Sequence, residues 1–256
     1  MQIETVIVTG ASSGVGHVVA EQLLAQGKRV ILMARRTEPM VVLANQYRGQ
    51  AHVYQCDVSV AQQVVETIQM VLERFPVIDA IVHCAGFGIF ANAVDTTIEQ
   101  VEGMLLTNVS GGIHLNQLLL PQFKQQGYGH IMMIASVAGK IGTPKSSVYA
   151  ASKFALVGYT DALRMEVAGD GIYVTTINPG PIETPFFEIA DPSGEYLKNI
   201  ARFSLTPEQV ASKMVRCLGK KKREVTLPLT MAFAARVHAF FPRTVEAIAK
   251  PFFLKK

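Results

Sequence analysis

Seven short runs of apolar and β-branched residues punctuate the chain. They are TVIV at 5–8, RVILMA at 29–34, AHVYQ at 51–55, IDAIVH at 78–83, HIMMIA at 130–135, IYVTTI at 172–177 and EVTL at 224–227. Most are nearly continuous rather than alternating, as strands buried on both faces must be, and a parallel sheet flanked by helices buries both faces. Stretches of about 12 or more residues with helical periodicity separate the runs, so a βα unit repeats. The pattern predicts an α/β, doubly wound fold around a seven-stranded, mainly parallel sheet. Some helix ends are legible. Thr206, Pro207 and Gln209 make a capping box with proline in the first turn, and Gly27 follows a helical run as a C-terminal stop. Residues 1–228 read as one domain. Residues 229–256 continue past the last strand as a C-terminal amphipathic helical extension, with Phe233, Val237, Phe240 and Phe241 at helical spacing before Pro242 and Val245, Ile248, Ala249, Phe252 and Phe253 after it.

The 256 residues and 49% hydrophobic content suit one domain with a complete core. Charged residues at 17% argue against disorder. Cys56, Cys84 and Cys217 show neither disulfide-framework nor zinc spacing, and the six histidines show no paired ligand spacing, so no metal site and a reducing, cytoplasmic setting are expected. No basic segment leads into a long apolar run, so no signal peptide is expected, nor a membrane-spanning helix. The net charge of +4 is uneven: residues 219–256 hold nine Lys/Arg against Glu224 and Glu246, which makes them +7 and leaves −3 for residues 1–218.

The first strand runs into a loop with Gly10, Gly14 and Gly16 and then into a helical pattern. Glycines at such a junction permit a tight turn and let backbone N–H groups approach a pyrophosphate at a helix N-terminus. The spacing differs from the commonest dinucleotide fingerprint, so the position between strand and helix carries the argument. Where an NAD site usually places an acid after the second strand, this chain has Ala34, Arg35 and Arg36. Guanidinium groups bind a 2′-phosphate that a carboxylate would repel, so NADP (NADPH) is favoured.

Tyr149 precedes Lys153 by one helical turn, so both side chains share a helix face. Tyrosine ordinarily titrates near 10, but an ammonium about 4 Å away favours phenolate by about 4 kcal/mol at an effective dielectric near 20. Such a tyrosine serves as a general acid or base at neutral pH. Alone, the pair reads better as an exposed Tyr and Lys on a solvated helix face, and the rest of the chain decides.

In this order the motifs resemble the short-chain dehydrogenase/reductase family, from about residue 3 to 227. TGASSGVG at 9–16 is similar to its cofactor loop, which includes Ser12, Ser13 and Val15. CDV at 56–58 is similar to the stretch whose acid, here Asp57 beside Val58, contacts adenine. TNVSG at 107–111 carries Asn108, IASVAG carries Ser136, and YAASK carries Tyr149 and Lys153. NPGPIETP at 178–185 is similar to the segment holding the nicotinamide end through Pro179, Gly180, Ile182 and Thr184. The resemblance implies a Rossmann fold and an oxidoreductase acting on a carbonyl or secondary alcohol. Tyr149 would exchange the proton, Lys153 lower its pKa and bind ribose, Ser136 orient the substrate, and Asn108 support a water-borne proton relay. The chain departs from the family after the fourth strand, where Cys84, Ala85 and Gly86 stand for the usual Asn-Ala-Gly; a thiol cannot replace the amide's hydrogen bonds.

The segment between Thr184 and Pro207 holds Phe186, Phe187, Ile189, Tyr196, Leu197, Ile200 and Phe203. Such a lid suits an apolar or lipid-like substrate, or else packs onto the body. The basic amphipathic tail suits peripheral contact with a membrane surface, or else folds over the body or a partner subunit. The resemblance further implies a homodimer or homotetramer paired through helices near residues 100–126 and 149–168. Nucleic-acid binding is disfavoured, because no aromatic platform or known module accompanies the basic residues. A non-catalytic NADP-binding sensor or scaffold on the same fold is the competing function.

Overall fold

The computed structural model describes residues 1–191, 194 and 204–253. Seven strands form one sheet: β1 (Thr5–Thr9), β2 (Arg29–Ala34), β3 (Ala51–Gln55), β4 (Ala80–His83), β5 (Gly129–Ile134), β6 (Ile172–Pro179) and β7 (Glu224–Leu227), in the order β3-β2-β1-β4-β5-β6-β7. Every pairing is parallel, so the sheet is more uniform than the expected mainly parallel one. Strand β4 starts two residues later than its apolar run. The Asp79 carboxylate Oδ2 there accepts from the backbone N–H groups of Glu4 (2.8 Å) and Thr5 (2.7 Å), anchoring the start of β1.

Near-continuous apolar strands supply two cores at once. Val6, Val8, Leu32 and Val82 face one layer, packed with α1 (Gly14–Ala25), α2 (Glu38–Gln46) and α8 (Pro207–Cys217). Ile7, Ile31, Ile81 and Ile131 face the other, with α3 (Ala61–Arg74), α5 (Gly111–Gln126) and α6 (Ser147–Glu166). The pleat assigns successive side chains to opposite faces, so these strands must be hydrophobic throughout. The expected cap on α8 forms: Thr206 Oγ1 accepts from Gln209 N, and the Gln209 side chain accepts from Thr206 N. Gly27 adopts φ +79°, just past α1.

The strand order reverses between β1 and β4. In such sheets the crevice outside the strands' C-terminal ends is the ligand position. Helix α4 (Ile98–Leu105) passes through a π turn at Leu106–Ser110 into α5, and α7 (Phe186–Ala190) follows β6. The tail forms two helices, α9 (Leu229–Phe240) and α10 (Pro242–Phe253), broken at Pro242 as expected. His238 Nε2 lies 3.4 Å from Glu246 Oε1 and clips them together.

Among the described residues the basic groups after 219 are divided. Lys220, Lys221, Lys222 and Arg223 precede β7, at the end of the strand away from the cleft, whereas α9 begins at its other end. Buried His130 holds this turn: Gly219 N–H donates to Nδ1 (3.0 Å), Nε2 pairs with Thr175 Oγ1 (2.9 Å), and Thr175 Oγ1 donates to the Lys222 carbonyl (2.6 Å). Burial pushes the His130 imidazole down to about 4, so it stays neutral. Residues 229–256 keep five Lys/Arg against Glu246.

Candidate active site

The loop after β1 is shaped by close approach. Gly10 has φ +66°, and a Cβ there would lie 2.8 Å from the backbone nitrogen of Ala85. A Cβ on Gly16 would lie 2.5 Å from the Gly10 carbonyl oxygen. The loop therefore folds tightly against the end of β4 and delivers α1 to the cleft. Ser13 occupies the N-cap of α1, yet its side chain makes no capping bond, and the first turn holds no acid. The N–H groups there lack a side-chain acceptor and favour an anion.

A continuous cleft of about 1140 Å³ runs across the C-terminal ends of the strands. It is lined at one end by Arg35, Arg36, Asp57 and Val58, in the middle by Gly10, Ser12, Ser13, Gly14, Val15, Gly16, Cys84, Ala85 and Gly86, and at the other end by Ser136, Tyr149, Lys153, Pro179, Gly180, Ile182 and Thr184. Asp57 Oδ1 accepts from Ser59 N (3.0 Å) and Ser59 Oγ (2.7 Å), while its Oδ2 lies 4.0 Å from Arg35 Nη1. The carboxylate thus shapes its own turn, with the Arg35 guanidinium nearby at the same end of the cleft. The uncapped helix start, the glycine-rich loop and the exposed guanidinium groups suit the phosphates of a dinucleotide.

Tyr149 and Lys153 are both buried on α6. Lys153 Nζ donates to the Ile134 carbonyl (3.1 Å) and stands 5.6 Å from the Tyr149 ring centroid. Burial lowers its ammonium to about 8. Ser136 caps the short turn at Val137–Gly139: its Oγ accepts from Ala138 N (3.0 Å) and faces the Pro179 carbonyl at 3.4 Å.

Asn108 stands behind the cleft, on the π turn. Its Nδ2 donates to the Phe87 carbonyl (2.8 Å) and to Ser152 Oγ (3.0 Å), and its Oδ1 accepts from Phe87 N (2.9 Å). A Cβ on Gly86 would lie 3.0 Å from Asn108 Oδ1 and 3.6 Å from Lys153 Nζ, so a larger residue there would press on the Asn108 side chain. A void of about 10 Å³ bordered by Thr9, His83, Thr107 and Asn108 lies here, near the size that takes one water.

Phe90, Met231 and Ala234 of the cleft lining carried no sequence signal, nor did Thr9 beneath it. Thr9 Oγ1 accepts from the N–H groups of both Cys84 and Ala85 (3.2 Å each), bonding the backbone where the family's Asn is missing. Burial pushes the Cys84 thiol up to about 12, so it is a neutral packing group rather than a nucleophile. Phe90, Phe186 and Phe187 gather round Tyr149, with ring centroids 5.7 Å (Phe90) and 5.6 Å (Phe186) from it. Ile189 lines the same end, whereas Tyr196, Leu197, Ile200 and Phe203 of the expected lid lie outside the described residues. Met231 and Ala234 of the tail line the cleft too. Among the described residues no cluster of His, Cys, Asp or Glu could hold a metal, and no helix is long and apolar enough to cross a membrane.

This geometry defines a dinucleotide-binding α/β protein with a buried Tyr–Lys pair at one end of its cleft. The family model for short chain dehydrogenases matches residues 4–193, and the chain belongs to that family; it is an oxidoreductase of the short-chain type. An uncharacterized oxidoreductase of Staphylococcus epidermidis is 36% identical over 185 residues, covering 72% of this chain and 80% of the relative. A short-chain dehydrogenase from Streptomyces avermitilis has the same fold (TM-score 0.84, 26% identity, 98% of this chain and 97% of that one), a likeness that takes in the C-terminal helices. The actinorhodin polyketide ketoreductase, solved with NADPH, matches 88% of this chain and 95% of its own (TM-score 0.79, 28% identity).

Proposed function

We propose that the protein is an NADP(H)-dependent oxidoreductase that interconverts a carbonyl compound and a secondary alcohol, with an apolar substrate. The observation that carries this is the buried Lys153 beside Tyr149, at the opposite end of one cleft from Arg35 and Arg36. The cofactor, when bound, supplies or accepts the hydride. Tyr149 gives the proton to the substrate oxygen in reduction and takes it back in oxidation. Lys153 favours the phenolate by its charge and binds the ribose. Ser136 Oγ accepts from Ala138 N, and its own proton has only a long contact to the Pro179 carbonyl, so that proton is available to hold the substrate oxygen. Asn108 fixes the Phe87 backbone and borders the one-water void through which a proton relay would run.

Gly10, Ser12, Ser13, Gly14, Val15 and Gly16 would cradle the pyrophosphate. Asp57 and Val58 would border the adenine, and Cys84, Ala85, Gly86, Pro179, Gly180, Ile182 and Thr184 the ribose and nicotinamide. The fold serves NAD and NADP alike, so the choice of NADP rests on Arg35 and Arg36. The NADPH bound by the polyketide ketoreductase agrees with it. Phenylalanines 90, 186 and 187 favour an apolar substrate. Free thiols at Cys56, Cys84 and Cys217 fit the cytoplasm.

We take residues 1–228 as the catalytic domain, which assembles as a homodimer or homotetramer. Residues 229–256 are its extension, touching an anionic membrane from outside. Oxidation of NADPH by a panel of ketones and aldehydes, followed by absorbance, tests the function. Tight NADPH binding without turnover of any of them would favour a sensor or scaffold.

A further inference from the structure

Helix α9 has two faces with different surroundings. On one lie Met231, Ala234 and Ala235: the first two line the cleft, and Ala235 is buried. On the opposite face, at positions that recur every turn, lie Leu229, Phe233, Arg236 and Phe240, all exposed. The inner face is fixed at three points. Gly180 N–H donates to the Leu227 carbonyl just before the helix (2.6 Å). A Cβ on Gly180 would lie 2.5 Å from Met231 Sδ, so the glycine makes the space that the thioether occupies. The helix also packs on the Val137–Gly139 turn that Ser136 caps. Met231 therefore sits between the segment proposed to hold the nicotinamide and the turn proposed to hold the substrate oxygen. Ala234 follows it three residues later on the same face, at the solvent-exposed mouth.

We propose that α9 is the specificity wall of the substrate pocket, with Met231 shaping its depth and Ala234 setting the width of its mouth, opposite the aromatic wall of Phe90, Phe186 and Phe187. This rests on the oxidoreductase function proposed above. The substrate's apolar part lies between an aromatic wall fixed to the body and a wall of small and flexible side chains carried by the tail. Methionine adapts its shape to what it packs against, whereas alanine leaves room that a larger side chain would fill. The pocket thus accepts an extended or bulky apolar group, and its size limit is written in the tail rather than in the sheet.

The test compares methyl ketones of rising length, from butanone to undecanone, on wild type, Ala234→Phe and Phe233→Ala. Ala234 is exposed, so phenylalanine there narrows the mouth without entering the core, and an unchanged melting curve checks this. In Ala234→Phe, kcat/KM for the long ketones should fall about tenfold or more relative to the short ones, the range that pocket volume controls. NADPH affinity should hold within about twofold, and Phe233→Ala, on the outer face, should keep the wild-type ratio. Met231→Ala should move the ratio the other way. An unchanged long-to-short ratio in Ala234→Phe, or an equal fall for all ketones, overturns the proposal. Calorimetric binding of the same ketones to NADP+-saturated protein reads the wall separately from turnover. Length-dependent loss of binding in Ala234→Phe without turnover in wild type would sink the catalytic function and keep the wall. Turnover in wild type with unaltered length dependence would do the reverse.

Discussion

Lys153 holds its ammonium 5.6 Å from the centroid of the Tyr149 ring, one turn along the same helix, and donates to the Ile134 carbonyl. Burial is what makes the arrangement effective and also what it costs, because the lysine is held in surroundings that lower its ammonium to about 8. The unfolded chain keeps that proton up to about 10.5. Folding therefore works against the charge at every pH below about 8, and the penalty fades as pH rises from about 8 to 10.5.

Lys153→Met should accordingly stabilise the cofactor-free protein at neutral pH by about 1–3 kcal/mol, after allowing for the lost bond to Ile134, while abolishing turnover. Urea unfolding at several pH values checks both size and sign. The gain should shrink toward high pH, and a gain independent of pH would show that packing rather than charge is responsible.

At the other end of the cleft, Ala34→Asp with Arg35→Ala should turn preference from NADPH toward NADH. Each lost charge-assisted contact should cost about 1.5–3 kcal/mol, or about tenfold to a hundredfold. The measurement is the ratio of kcat/KM for the two cofactors. An unchanged ratio would assign the 2′-phosphate to other groups, Arg36 first among them.

Val94, Ile98, Leu105, Leu106 and Phe154 leave large apolar side chains exposed around α4 and α6. Pairing of these helices between subunits would cover them. Light scattering should show a dimer or tetramer at micromolar concentration, and Phe154→Glu should shift it toward monomer while leaving secondary structure intact. A monomeric wild type would leave this face without the expected role.

The sheet was readable because each buried strand is a continuous apolar run such as Val6, Ile7 and Val8, with the two cores sharing one strand by alternation. The cofactor end was readable because its function depends on backbone shape, which leaves Gly10 and Gly16 as a trace. The substrate end was readable only in part, through Phe186, Phe187 and Ile189. Phe90 and Met231 lie far apart in sequence and line one cleft only through the fold, and neither is an unusual residue in its local context. The π turn at Asn108 left no trace either, since a one-residue change of helical pitch has no periodicity of its own. Summed charge misled for a related reason: Lys220–Arg223 and the start of α9 are neighbours along the chain but lie at opposite ends of strand β7.

The outer stripe of α9 offers a direct test of membrane contact. Phe233 and Phe240 are 71% and 79% exposed, with Arg236 between them. Inserting each ring would contribute up to about 1.5–3 kcal/mol, and each basic residue near an anionic leaflet about 1 kcal/mol. Full-length protein should sediment with phosphatidylserine vesicles at low salt and release in part at high salt. Phe233→Ser with Phe240→Ser should stay in the supernatant yet keep turnover of short ketones. Equal sedimentation of both proteins would assign the stripe to protein contacts.

Turnover and NADPH binding measured side by side in Tyr149→Phe test the proposed chemistry most directly. The substitution removes one oxygen from a buried ring that stays packed between Phe90 and Phe186. Carbonyl reduction should fall by about 10²–10⁴ or beyond detection, the share that a positioned acid–base group supplies, with NADPH affinity close to wild type. Turnover near the wild-type rate in that variant would contradict the assignment of the proton to Tyr149, and with it the role given to Lys153.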